Sequence, residues 1–214
     1  MTELCAVLTG DLVGSSQADP HLVSRAFEAL ASADDEVRSW FGAASSSALQ
    51  RHRGDGWQAF VPLSVYALRA ACVYSAAVAA VDKRMATRIC VGIGRIAELS
   101  VDGLGASSGR AFELSGRGLE QMGKSSRLSA RADETVLHSG WIEAVFDLAD
   151  VIVSGWTPRQ AVVAQHLLVR NAPSQSELGD RLGISQQAVQ DHFSRAHGMA
   201  LSAACDRLES GLNK

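Results

Sequence analysis

Apolar and polar positions alternate along this chain in blocks whose period switches between that of a strand and that of a helix. Leu4 to Leu8 is a short apolar run that gives way to Thr9-Gly10-Asp11, the pattern of a buried strand delivering its last residues to a loop. Pro20 stands where a helical first turn begins, and Leu22, Val23, Ala26, Phe27 and Leu30 recur at helical spacing to about Phe41. A Ser-rich bend at Ser45 to Ser47 leads into Ala48 to His52, the tight turn Arg53-Gly54-Asp55-Gly56, and Trp57 to Val61, which together predict a β-hairpin. An Ala-rich helix follows over Ser64 to about Arg84, then a strand over Thr87 to Gly94. After a Gly- and Ser-rich loop, Val101 to Gly109, the pattern predicts a helix from Arg110 to Met122, a short strand near Arg127 to Arg131, and a helix from about Glu134 to Val153. The order implies an α/β sandwich with a mostly antiparallel sheet covered by helices on one face.

Small residues at Ser154-Gly155-Trp156 mark a boundary between two domains, residues 1–153 and 157–214. In the second, Thr157 caps a helix with Pro158 at its first position, running to about Arg170. Ser174 and Glu177 are spaced as a capping box for a helix that ends at Leu182. Gly183 then supplies a left-handed turn residue, Ile184 a core plug between helices, and Ser185 the cap of a third helix from Gln186 to about Ala196. The stretch from Gln175 to Val189 resembles the helix-turn-helix of bacterial regulators and of sigma factors, which implies an all-α DNA-binding domain. It departs from them at Gly179, where a small alanine is usual and glycine loosens the helix by about 1 kcal/mol. On the third helix Ala188, Val189 and Phe193 face inward. Outward stand Gln186, Gln187, Gln190, Asp191, Ser194 and Arg195, amides and a guanidinium suited to base edges in a major groove, with Ser185 placed for a phosphate.

Composition narrows these readings. With 214 residues, 47% of them hydrophobic, there is room for one or two cores. No segment approaches ~18 uninterrupted apolar residues, and the start has no basic leader, so the expected place is the cytoplasm, away from membranes. Cys5, Cys72, Cys90 and Cys205 are scattered among apolar neighbours and read as reduced core residues. The formal net charge of -3 excludes a nonspecific coat for nucleic acid, so DNA binding has to be local, sequence-reading and helped by a homodimer with two half-sites.

A second chemistry sits near the start. Thr9-Gly10-Asp11-Leu12-Val13-Gly14-Ser15-Ser16 places an acid at a strand end before a small-residue loop, and Gly54-Asp55-Gly56 offers another acid on a hairpin tip, together a candidate divalent-ion and phosphate site. These segments resemble class III nucleotidyl cyclases, in which Asp11 and Asp55 match the two metal acids and Arg117 matches an arginine of a catalytic helix. Glu113 stands where that helix has asparagine, and Arg51 where a lysine reads the purine. Residues 4–125 are similar still more closely to the SatD family, through the Thr-Gly-Asp start, Gly54-Asp55-Gly56-Trp57-Gln58 and Ala111-Phe112-Glu113-Leu114-Ser115-Gly116. The resemblance implies a ferredoxin-like, cyclase-type core. It also implies Mg2+ or Mn2+ at Asp11 and Asp55, and a purine nucleotide held by Val13, Gly14, Ser15, Ser16, Arg51 and Arg117. Glu113 would repel triphosphate oxygens, which favours sensing over turnover.

The leading expectation is therefore a DNA-binding transcription regulator with a nucleotide effector and no catalytic residue. Two alternatives stand beside it: an active purine nucleotide cyclase carrying a DNA-binding module, and a DNA-binding protein whose N-terminal domain only dimerises. His52 and Arg53 are expected to be solvated, and His138, His166, His192 and His197 share no ligand spacing.

Overall fold

The computed structural model describes residues 4–42, 48–52, 54–136 and 138–211; the Ser-rich bend and Arg53 lie outside them. Its first half contains β1 (Cys5–Leu12), α1 (Pro20–Ser39), β2 (Gln50–Arg51), β3 (Gly56–Val61), α2 (Ala67–Val81), β4 (Thr87–Gly94) and the short β5 (Ile96–Glu98) and β6 (Ser108–Gly109). α3 (Arg110–Gln121), β7 (Leu128–Ala132) and α4 (Ser139–Ser154) follow, then α5 (Pro158–Leu167), α6 (Gln175–Leu182), α7 (Gln186–Arg195) and α8 (Gly198–Gly211). The fold is mixed α/β. Five strands pair in the order β2-β3-β1-β4-β7, antiparallel around β1 and parallel between β4 and β7.

Alternation along the strands divides the core. Ala6, Leu8, Trp57, Ala59, Ile89, Val91, Leu128 and Ala130 point into the larger cluster, with Leu22, Ala26 and Leu30 of α1, nearly the whole of α2, and Ile142 and Phe146 of α4. The intervening Cys5, Val7 and Phe60 join Ala111 and Leu104 on the other side. Helices therefore cover both faces, not one as the pattern predicts, because α3 lies against the second. Glycines make room for it: a Cβ at Gly92 would sit 2.0 Å from the carbonyl oxygen of Ala111, and one at Gly118 would sit 2.2 Å from Cys90 Sγ.

α2 is buried around its circumference, which explains its composition. Ser64–Val81 is long and apolar enough to cross a membrane (mean hydropathy 1.5), yet 72% of it is buried inside the fold, as suits a central core helix. α4 begins at Ser139, five residues later than the pattern suggests. Asp133 forms a local turn, accepting from Thr135 N–H at 3.0 Å while its carbonyl accepts from Val136 N–H at 2.8 Å, and His138 takes a left-handed φ of 60° before the helix starts. The four cysteines are free and buried.

The larger core does not stop at Ser154. Val163, Ala164 and Leu168 of the α5 segment, Leu178, Val189, Phe193, Leu201 and Cys205 belong to the same cluster as the sheet and α2. Arg69 of α2, 5% exposed, crosses this junction: its guanidinium donates to Glu209 at 2.5 Å, to Asp206 at 2.6 Å and to the carbonyl of Leu168 at 3.0 Å. α8, for which the sequence pattern makes no assignment, supplies both acids.

Candidate functional site

The α6-to-α7 segment is built from local rules. Ser174 Oγ accepts from Glu177 N–H at 3.2 Å and the Glu177 carboxylate accepts from Ser174 N–H at 2.8 Å, so both ends of a capping box are closed. That contact holds the Glu177 carboxyl below the usual carboxylate range. Gly183 ends α6 in the left-handed conformation at φ 67°, and Ser185 Oγ caps α7 by accepting from Ala188 N–H at 3.1 Å. Trp156 Nε1–H reaches across to the carbonyl of Ala196 at 2.9 Å and fixes the far end of α7.

Two details differ from the sequence reading. Ile184 does not plug the core; it is 37% exposed, because Leu178, Val189 and Phe193 already fill the space beneath it. Gly179 is buried and lets the turn come close: a Cβ there would meet the carbonyl oxygen of Ile184 at 2.7 Å. On α7, Val189 and Phe193 are buried, Ala188 is half-buried, and Ser185, Gln186, Gln187, Gln190, Asp191, Ser194 and Arg195 are all exposed on one surface. Asp191 holds Arg195 in a two-pronged ion pair, with nitrogen-to-oxygen separations of 3.2 and 3.1 Å.

At the end of β1, the structure brings together Asp11, Ser15, Asp55 and a residue not anticipated from sequence, Arg88. Asp11 and Arg88 are register partners on adjacent strands, and the Arg88 guanidinium donates to both carboxylate oxygens of Asp11, at 2.9 Å through Nε. Ser15 Oγ donates to Asp55, and the loop turns through Gly14 at φ 69°. Val13 is tied down, its N–H donating to the carbonyl of Ala86 at 2.8 Å, and Ser16 is exposed. Arg88 engages the Asp11 carboxylate and Ser15 that of Asp55, so a divalent ion between the two acids would have to displace these contacts. Among the described residues no group of three His, Cys, Asp or Glu converges on a metal position.

Arg51 and Arg117 are not part of this cluster. Arg51 pairs in register with Trp57 and so emerges on the α1 side of the sheet, where it lies 3.9 Å over the Phe27 ring and donates to Gly54 O. Arg117 is exposed, with no ion pair or hydrogen bond among the described residues. It follows Arg110 by two helical turns, on the flank of α3 whose Arg110 bonds Asp133 beyond β7 at 2.9 Å. Arg110 also pairs with Glu113 at 3.3 Å.

His52 is not simply solvated. It bonds Gln58 at 3.2 Å, Gln58 donates to Thr9 at 3.0 Å, and Thr9 meets Ser115 of α3 at 2.8 Å, a polar row on the α3 side of the sheet. Elsewhere, a cleft of about 580 Å³ opens between α1, α2, α5 and α6, with Glu36, His166 and Arg181 on its walls. Burial, with the nearby charge of Arg181, pushes the His166 imidazole down.

The chain matches no protein-family model, and no curated protein matches it.

Proposed function

We propose that the protein is a DNA-binding transcription regulator of the cytoplasm, in which α6, the Gly183 turn and α7 act as a helix-turn-helix and α7 enters the major groove of double-stranded DNA. The observation that carries this reading is the α7 surface. Gln186, Gln187, Gln190, Ser194 and Arg195 share one exposed face of a helix capped at Ser185, with Val189 and Phe193 buried beneath it. Glutamine pairs bidentately with adenine and arginine with guanine, and each such contact discriminates by about 1–3 kcal/mol. On DNA selected from a random pool, Gln187→Ala, Gln186→Ala and Gln190→Ala are expected to weaken binding by roughly 5- to 150-fold each, with the fold intact. Unchanged affinity for all three overturns the groove assignment.

The effector belongs to the sheet end. A purine nucleotide placed there meets the hydroxyls of Ser15 and Ser16 and the Arg88 guanidinium, and is sensed without turnover, Glu113 standing where the cyclase resemblance calls for asparagine. The arrangement of Arg88 on Asp11 favours binding without a divalent ion. Calorimetry with a nucleotide panel, with and without Mg2+ or Mn2+, tests this. The expected result is heat of binding, a change in DNA affinity of roughly 5- to 150-fold, and loss of both in Arg88→Ala. No heat and no thermal shift across the panel leaves the first half as a scaffold for the DNA-reading helices and their homodimer.

A further inference from the structure

α4 is apolar over more of its circumference than the described residues cover. Ile142, Phe146, Ala149 and Val153 face the core. Two of its three acids serve the fold, Glu143 accepting from Ala132 N–H at 3.0 Å and Asp150 from Arg127 and Leu128 N–H at 2.7 and 2.9 Å, while Asp147 is exposed. The remaining face carries Trp141, Leu148 and Val151, at 77%, 71% and 74% exposure, with Ala144 between them and half-buried Val145 and Ile152 beside them. An apolar stripe of this kind outside the core-facing side ordinarily marks an interaction site. The stripe runs on into an apolar groove of about 510 Å³ between the start of α4 and the end of α8, lined by Trp141, Val145 and Leu208.

We infer that this stripe is the interface of a homodimer, formed by two copies of α4 packed antiparallel about a two-fold axis. The spacing is self-complementary. With the axis level with Phe146, Trp141 stands level with Val151 of the partner subunit and Leu148 with Ala144 of the partner subunit. The two largest exposed side chains are each level with a smaller one, as ridge into groove requires.

The area suffices. An aromatic side chain carries about 150–250 Å² of contact surface, so the stripe presents on the order of 400 Å² of apolar surface, at the scale that marks an interaction site. Two such faces with their rims reach the lower range of specific interfaces, about 1,200 Å² in total. A lipid surface fits poorly, because α4 carries three acids and no Lys or Arg to meet anionic headgroups.

The inference names the surface of the dimer proposed above but does not depend on DNA, so light scattering on the full chain alone tests it. At about 50 µM, within reach of an interface this size, the protein is expected to be a dimer, and Leu148→Asp and Val151→Asp to be monomers. Both side chains are exposed, so the variants keep native circular dichroism and thermal unfolding. Trp141 emission is expected to shift to the blue on concentrating the wild-type protein and to stay unshifted in Leu148→Asp. A monomeric wild type overturns both the dimer and its surface, and a dimer indifferent to both substitutions overturns the surface while leaving the dimer. Neither outcome touches the groove assignment of α7.

Discussion

The exposed face of α7 and the β1 end of the sheet are both rich in polar side chains, but they use them in opposite ways. On α7 the three glutamines and Ser194 make no side-chain hydrogen bond among the described residues, and only Arg195 is engaged, by Asp191 on the same helix. At the sheet end both acids have a partner from a distant part of the chain: Asp11 has Arg88, and Asp55 has Ser15. Groups left open to water exchange only water for an outside partner, whereas groups already paired must also give up their internal bonds. The open surface is ready for a partner as it stands, whereas a nucleotide at the sheet end has to displace internal bonds in order to bind.

Substitutions can break or sharpen this contrast. The largest effect is expected at Arg69, a buried charge held by two acids and a carbonyl. Arg69→Ala removes the ion pairs to Asp206 and Glu209 and frees the Leu168 carbonyl, so chemical denaturation should show a loss of about 3–5 kcal/mol. Next comes the Asp11 and Arg88 pair, about a quarter exposed on each side; a double-mutant cycle with Asp11→Asn and Arg88→Ala is expected to give a coupling of about 1–2 kcal/mol. A coupling near zero would place the sheet end in the open class with α7.

Gly179→Ala is a contest between two terms. Helix propensity favours alanine by about 1 kcal/mol, but overpacking against the Ile184 carbonyl costs about 1–3 kcal/mol, so a net loss near 1 kcal/mol is expected in thermal melts. Stabilisation instead would show that the turn can yield. The smallest effect is expected at Glu177. Its carboxyl is lowered in the fold, so its contribution to the α6 cap is present above the ordinary glutamate range and fades as pH falls through it. Melts of wild type and Glu177→Gln should converge toward acid pH.

What could be read from the sequence follows the range of the interactions. The caps at Thr157, Ser174 and Ser185 and the left-handed Gly183 are decided within four residues, and the structure carries them where the pattern places them. β1 and β4 follow from continuous apolar runs. The rest depends on partners far along the chain. Arg88 lies 77 residues from Asp11, and no spacing rule joins them. α8 owes its place to Arg69, more than a hundred residues earlier, and its own sequence carries few signals of where it starts. Arg51 looks like a neighbour of Asp55 in the chain, yet strand alternation sends it through to the opposite face of the sheet.

The buried cysteines give the molecule a set of internal clocks. Burial pushes the Cys5 thiol, on the sheet, up to about 11 and the Cys205 thiol, on α8, up to about 12. Neither is a reactive thiolate in the native state, so an alkylating reagent must wait for the surrounding structure to part. The rate at which each thiol is labelled then measures how often its own neighbourhood opens. One shared rate would mean that the helices after Thr157 and the sheet come apart only together, and two rates would time them separately.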